Sequence, residues 1–367
     1  MEFRTVQDGF EQSKAIELSK SIFKPNMAEQ FTLLFSKANW KHMFIAIDDG
    51  NIVSLVNYYP SVIRIGAVQI KAASIGSVCT NPEYRGRKLA SRLLRLAEEQ
   101  MSRENIQLMI ISGAGGIYAD IGASLAGNDY EYLIESENLE ADPAYEIKKY
   151  LPDDFHKIKA IYEKEPIRYE RTEDEFKSLL SSQTYPDTFA TYPVHLIEKD
   201  HQCVGYVVGF MPTEGDEFGV KEFAGDRKAV KAAFKSLLKT YQRDKIHFAA
   251  DAKDAMVDLF PNAAKKLIHQ HASFKVTDFV GLMTSLIPYF KTHYGNIEIG
   301  FELVDQVPTF LCGTEIYQVS DLQLLSRLIF GSGEPVGLTI DNAPQIQRFI
   351  NLVFPLPFVW TNNLNYQ

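Results

Sequence analysis

The β-rich run ending at Val78-Cys79-Thr80 is cut by Asn81-Pro82, and a few residues later an amphipathic helix opens at Leu89. From Leu89 to about Arg103, Leu89, Leu93, Leu96, Ala97 and Met101 fall on one face, while Arg92, Arg95, Glu98 and Glu99 occupy the others. Gln107 to Ile111 then reads as a buried strand. Strand, crossing helix and strand in that order demand a layered α/β arrangement, because the helix must bury its apolar stripe against the sheet the chain rejoins. The flanking segments agree. A short strand is expected at Phe3 to Gln7, a helix at 10–23 closed by Pro25, and a helical stretch from Met27 to about Ala38. Met43 to Ile47 and Ile52 to Tyr58 form a hairpin about Asp48-Asp49-Gly50-Asn51, and a meander continues through 62–70 across Gly66. After Ile111 the glycine cluster Gly113-Ala114-Gly115-Gly116 leads into a short helix near Tyr118, with a further strand at Tyr130 to Ile134.

The junction at Ser77 to Ser91 is chemically informative. First-turn amides of a helix lack intrahelical partners, and the helix dipole adds about half a positive charge there. Arg85, Arg87 and Lys88 raise the local potential further. Several adjacent N–H groups suit a pyrophosphate better than a single carboxylate, since each can meet one oxygen.

At these residues the chain resembles the GNAT family of acyl-CoA N-acyltransferases. The family's Arg/Gln-x-x-Gly-x-Gly/Ala signature aligns with Arg85-Gly86-Arg87-Lys88-Leu89-Ala90, preceded by Asn81-Pro82-Glu83-Tyr84. Arg85 takes the signature's arginine and Ala90 its last small residue, while Lys88 stands where the central glycine is usual. The resemblance implies that Val78, Cys79 and Thr80 pair through their backbone with the pantetheine arm. It implies that amides from Gly86, Arg87, Lys88, Leu89, Ala90 and Ser91 hold the pyrophosphate, and that Gly113 and Ala114 line the facing wall. Tyr118 would protonate the departing CoA thiolate; the alternative is an aromatic that only packs. Cys79 lies beside the expected thioester, but transfer in this family is direct, so its side chain reads as a strand residue.

The rest of the chain resembles the multi-domain enhanced-intracellular-survival (Eis-like) branch. The expected fold class is α/β with mixed α+β sheets: a GNAT domain at 1–136, a polar linker at Glu135 to Ala144, a second, degenerate GNAT-like domain at 146–287, and a small C-terminal α+β domain at 288–367 with a docked tail. In the second domain Ala224-Gly225-Asp226-Arg227 takes the signature's place, and Asp226 would repel a phosphate. Helices are expected there at 153–164, 173–182, 226–241, 253–258 and 262–270, with strands at 193–198, 202–210, 246–250 and 274–282. In that branch the terminal carboxylate can serve as general base, which assigns that role to Gln367.

Composition narrows the partners. Lys and Arg number 38 against 47 Asp and Glu, so the net charge of −9 disfavours nucleic acid or an anionic membrane and mildly favours a cationic amine acceptor through steering. Cys79, Cys203 and Cys312 are too few and too scattered for a disulfide framework, and with eight dispersed histidines no metal is expected. The opening MEFRTVQDGF lacks a signal-peptide pattern, and the expected location is cytoplasmic. The function expected is acetyl transfer from acetyl-CoA to a small-molecule or peptide amine in a ternary complex. The alternative is a non-catalytic acyl-CoA-binding or scaffold protein with a decayed site. Homo-oligomerisation is left open.

Overall fold

The computed structural model describes residues 1–182, 190–296, 298–333 and 339–366. Contacts divide the chain into two compact units: Met1–Ala126 with His271–Leu356 and Tyr366, and Gly127–Gln270 with Pro357–Asn365.

In the first unit, β1 (Glu2–Thr5), α1 (Gly9–Ile22) and α2 (Met27–Gln30) precede three long antiparallel strands, β2 (Met43–Asp48), β3 (Asn51–Ile65) and β4 (Val68–Thr80). Then come α3 (Leu89–Arg103), β5 (Leu108–Ile111), α4 (Gly116–Ala119) and β6 (Ser124–Leu125). The sheet runs β1-β2-β3-β4-β5, continues through the strand Ser273–Val276 and ends at β6; β4 and β5 are parallel. Asp8 caps α1 by accepting from the amides of Phe10 and Glu11 at 2.9 and 2.8 Å. Leu89, Leu93, Leu94, Ala97 and Met101 of α3 bury against Phe44, Val56, Tyr58, Ile75 and Met109 on one face of the sheet. Ala15 and Leu18 of α1 pack with Ile45, Leu55 and Cys79 on the other. Each such leucine contributes about 1.5–3 kcal/mol of burial, which fixes α3 and therefore the position of its first turn. A separate three-stranded sheet, Gly300–Val304, Val307–Cys312 and Glu315–Gln318, packs with helices Phe279–Ser285 and Pro344–Val353 around Phe290, Phe301, Phe310 and Phe349.

The second unit repeats the layout. Its sheet runs Lys265–Ile268, Asp129–Glu135, Lys245–Asp251, Glu217–Gly225, Gln202–Pro212, Val194–Lys199 and Glu146–Lys149, with helix Arg227–Tyr241 burying Val230, Phe234 and Leu237 against it. Several elements depart from the sequence reading. The strand around Tyr130–Ile134, expected to close the first block, pairs with Lys245–Asp251 and Lys265–Ile268 in the second unit. The strand expected over 274–282 ends at Val276, pairs with β5 in the first unit, and gives way to a helix capped by Asp278. The expected helix over 262–270 is instead the strand Lys265–Ile268. A four-residue strand is specified mainly by the edge it joins, and local periodicity carries little of that information.

Asp129 is fully buried directly opposite Asp251 on the neighbouring strand. Burial, reinforced by the Asp251 charge, pushes its carboxyl well above the usual range, and burial pushes Asp251 up to about 6. The folded unit therefore holds protons that the unfolded chain releases near pH 4, so its stability falls as pH rises from about 4 through 6 and beyond. Asp129→Asn is expected to flatten that decline in hydrogen-exchange protection of the second unit. An unchanged pH slope would remove Asp129 as its source.

Candidate active site

Parallel pairing of β4 with β5 ends at Ile75 opposite Ile111, while β4 runs on to Thr80. On its other edge β4 stays paired with β3, but Gly76 faces Asn57 and Cys79 faces Leu55, so Ser77 and Val78 together oppose Val56. This is a β-bulge; Ser77 takes φ of +54° and its Oγ lies 2.7 Å from Ser19 Oγ in the interior. The Asn81 N–H donates to Val53 O at 2.9 Å, which fixes the alternation of amides beyond the bulge. The Thr80 N–H consequently points to the opposite edge, where β5 has ended.

The turn after β4 delivers the chain to α3 through a short 3₁₀ turn at Pro82–Tyr84, with Asn81 accepting from the Glu83 amide at 3.0 Å. Gly86 has φ of +78° and Lys88, the N-cap of α3, has φ of +56°. Lys88 thus adopts the left-handed backbone that makes glycine usual at this position of the signature. Its side chain supplies no cap, so the first-turn amides of Leu89, Ala90 and Ser91 are left for an external acceptor. Arg85, Arg87 and Lys88 are all exposed. The Arg87 guanidinium sits 4.6 Å from the Tyr84 ring centre, and Arg85 Nε is 3.4 Å from Thr80 O. Leu89 is buried in the core, so only its backbone can meet a ligand.

The second unit has the same strand layout with a different ending. Glu217–Gly225 pairs in parallel with Lys245–Asp251 only as far as Gly219 opposite His247. Here Asp226 caps the following helix, accepting from the amides of Lys228 and Ala229 at 2.8 and 3.3 Å. A carboxylate therefore already holds the amides that a phosphate would need. The walls of this second gap also meet the chain's own segment 357–365, with Phe358 N–H donating to Asp251 at 3.0 Å and Leu364 N–H to Glu222 at 3.3 Å. The helix start beside the first gap leaves its amides open to an anion, and the one beside the second does not.

Residues 2–126 match the acetyltransferase (GNAT) domain family. The first unit carries a GNAT acetyltransferase domain. GNAT domains use acyl-CoA as co-substrate and amines as acceptors, which makes residues 2–126 an acyl-CoA-dependent N-acyltransferase domain. Solved structures of similar fold include Eis1 from Mycobacterium abscessus, at 14% identity and TM-score 0.68, covering 99% of this chain and 100% of that one. A GCN5-related N-acetyltransferase from Kribbella flavida shows 14% identity and TM-score 0.68 over 98% and 99% of the two chains. A conserved protein from Enterococcus faecalis V583 shows 16% identity and TM-score 0.70 over 97% and 98%. No curated protein matches the sequence.

The remaining candidate residues lie as follows in this GNAT framework. Gly113, with φ of +138°, and Gly115 each lie under the Tyr118 ring, where an added Cβ would sit 3.7 or 3.8 Å from it. Ala114 is exposed beside them. Burial, with a smaller contribution from Tyr366, pushes the Tyr118 phenol up to about 12. Burial pushes the Cys79 thiol up to about 12 as well, which leaves it protonated and inert as a nucleophile. Gln367 lies outside the described residues. Two features escaped the sequence reading, the bulge at Ser77 and the Ser19–Ser77 hydrogen bond, whereas Tyr366, part of the tail expected to dock, lines the same cleft as Tyr118. The apolar residues on both sides of Pro25 were the available hint that this segment borders a cleft. Among the described residues no helix is long and apolar enough to cross a membrane.

Proposed function

We propose that the chain transfers an acetyl group from acetyl-CoA to an amine by direct attack in a ternary complex. The observation that carries this reading is the combination of the uncapped start of α3 with the open edge of β4 beyond Ile75. In this reading the amides of Gly86 to Ser91 bind the pyrophosphate, with Arg85, Arg87 and Lys88 adding charge. Backbone groups of Val78, Cys79 and Thr80 extend the sheet onto the pantetheine arm. The Thr80 N–H holds the oxygen of the reacting carbonyl as negative charge develops, and Gly113 and Ala114 form the facing wall. Tyr118 gives its proton to the departing sulfur. For Gln367 the family resemblance is the whole support: its carboxylate would take the acceptor's proton. Three free thiols accord with work in the cytoplasm.

Replacing Arg85 and Arg87 together by Glu is expected to weaken CoA binding at least about tenfold, from loss of charge-assisted contacts worth on the order of 1–3 kcal/mol. Unchanged affinity in titration calorimetry would remove the pyrophosphate assignment. Lys88 separates two effects. Lys88→Gly and Lys88→Ala should both lower CoA affinity a few-fold, but only the glycine variant relieves the left-handed backbone and gains up to about 1 kcal/mol. Equal thermal stability of the two variants would contradict that account. A scaffold protein that binds CoA without transfer is the second reading, favoured by Lys88 at the glycine position. Thiol release with any amine distinguishes the two.

A further inference from the structure

Beside the open edge of β4 the first unit holds a cleft of about 530 Å³, of the size that takes a whole small molecule. The acetyl group and the end of the pantetheine arm would take the Val78 and Tyr118 side and leave the opposite wall uncovered. One wall is Val78 and Tyr118, and the other comes from α1, α2 and the segment after them: Phe23, Met27, Phe31 and Leu34. The Phe31 and Tyr366 rings lie 6.4 Å apart at 51°, leaving aromatic faces on the lining. Phe23 is 52% exposed at this cleft, a ring that the core does not use. Among the described residues the charged side chain in the lining is Lys24, whose Nζ donates to Gln30 and sits 5.5 Å from the Phe31 ring centre.

We propose that this cleft receives an acceptor amine with an aromatic or comparably bulky apolar body, in preference to a polyamine. The inference rests on the acyl-transfer reading above and adds the chemical class of the acceptor. The lining supplies apolar surface and ring faces, which reward a second ring packed edge-on or offset. Beyond the one amine that Gln367 would deprotonate, the further charges of a polycation would have to leave water for apolar walls beside the Lys24 ammonium. The overall charge of −9 acts on approach from solution, whereas the lining governs what is retained.

The test compares 2-phenylethylamine, ethylamine and spermidine as acceptors with saturating acetyl-CoA, following free thiol. The kcat/KM for 2-phenylethylamine should exceed that for ethylamine about 10–100-fold, the ratio that burial of one ring supports. Phe31→Ala should cut the 2-phenylethylamine value at least about fivefold more than the ethylamine value, and the exposed Phe23→Ala provides the same comparison should Phe31→Ala misfold. Equal values for the two monoamines, or a preference for spermidine, would overturn the inference while leaving acyl transfer intact. So would a gain of the same size on lengthening the acyl chain to hexanoyl-CoA with ethylamine, which would assign the cleft to the acyl group. Thiol release with none of the amines would count against the acyl-transfer reading. Calorimetry on the CoA-bound protein then decides the inference: saturable 2-phenylethylamine binding at least tenfold tighter than ethylamine supports it, and equal or absent binding overturns it.

Discussion

Tyr118→Phe is expected to lower kcat about 10²–10⁴-fold while leaving CoA affinity nearly unchanged. The ring carries the packing against Gly113 and Gly115, and phenylalanine keeps it, so the variant removes only the hydroxyl. A phenol pushed up to about 12 keeps its proton across any ordinary assay range. As a donor it is weaker than a free tyrosine, against a thiolate whose conjugate acid lies near 8.5. The gap narrows in a closed cleft, because desolvation raises the basicity of the thiolate too. Wild-type activity should therefore show no fall attributable to Tyr118 as pH rises through 9 and 10. A Tyr118→Phe enzyme with wild-type kcat would reduce Tyr118 to a packing residue.

The second large effect lies in the other unit. Arg171 and Glu222 have side chains 1% and 6% exposed and pair through two hydrogen bonds of 3.0 and 2.7 Å. Tyr206 donates its hydroxyl to Glu222 at 2.7 Å, and Arg171 Nε donates to Asn365 at 2.7 Å. Burial alone would raise the Glu222 carboxyl, yet the Arg171 guanidinium holds it below its ordinary value. Arg171→Leu leaves that carboxylate buried without its counter-charge, at a cost of about 3–5 kcal/mol to the second unit. Hydrogen exchange at Leu364 and Asn365 should report the loss directly, since both belong to the segment the pair anchors. Removing both charges, Arg171→Leu with Glu222→Leu, should recover part of it. The pH dependence has the opposite sign to that at Asp129. Glu222 binds its proton less readily folded than unfolded, so its stabilisation is present above the ordinary carboxylate range and is lost as pH falls through the lower folded value. Unaltered exchange in Arg171→Leu would show the pair to be energetically idle.

Much of the structure around the candidate site was legible because it is local. The helix expected from Leu89 to Arg103 has those bounds in the structure, since five apolar residues at helical spacing leave one solution. The strand, turn and helix around Thr80 to Ala90 follow from Asn81-Pro82 and the glycine after Arg85. The lengths of β3 and β4 were less accessible, because a continuous β-rich run does not mark where pairing with a neighbour stops. Nothing in Gly76-Ser77-Val78 announces a bulge, which arises from register against Val56. Strand ownership was the least legible property. Ser273–Val276 and Asp129–Glu135 are both short strands that mix polar with apolar residues, and only distant edges decide which sheet each completes.

That exchange of strands constrains how the molecule can be made. The sheet that contains β4 and β5 is incomplete until Ser273–Val276 has joined β5, and its unit draws on residues as far as Leu356. A ribosome must therefore translate on through Val276, and as far as Leu356 for the whole unit, before the candidate acyl-CoA site has its full support, although the signature residues lie at Arg85 to Ala90. Gly127–Gln270, by contrast, emerges as one uninterrupted stretch and lacks only its last short segment. The order of synthesis favours early consolidation of the unit whose helix start is already occupied by Asp226, with the acyl-CoA-binding unit finished afterwards. Truncation anywhere upstream of residue 273 would preserve the recognisable motif and lose the sheet that supports it.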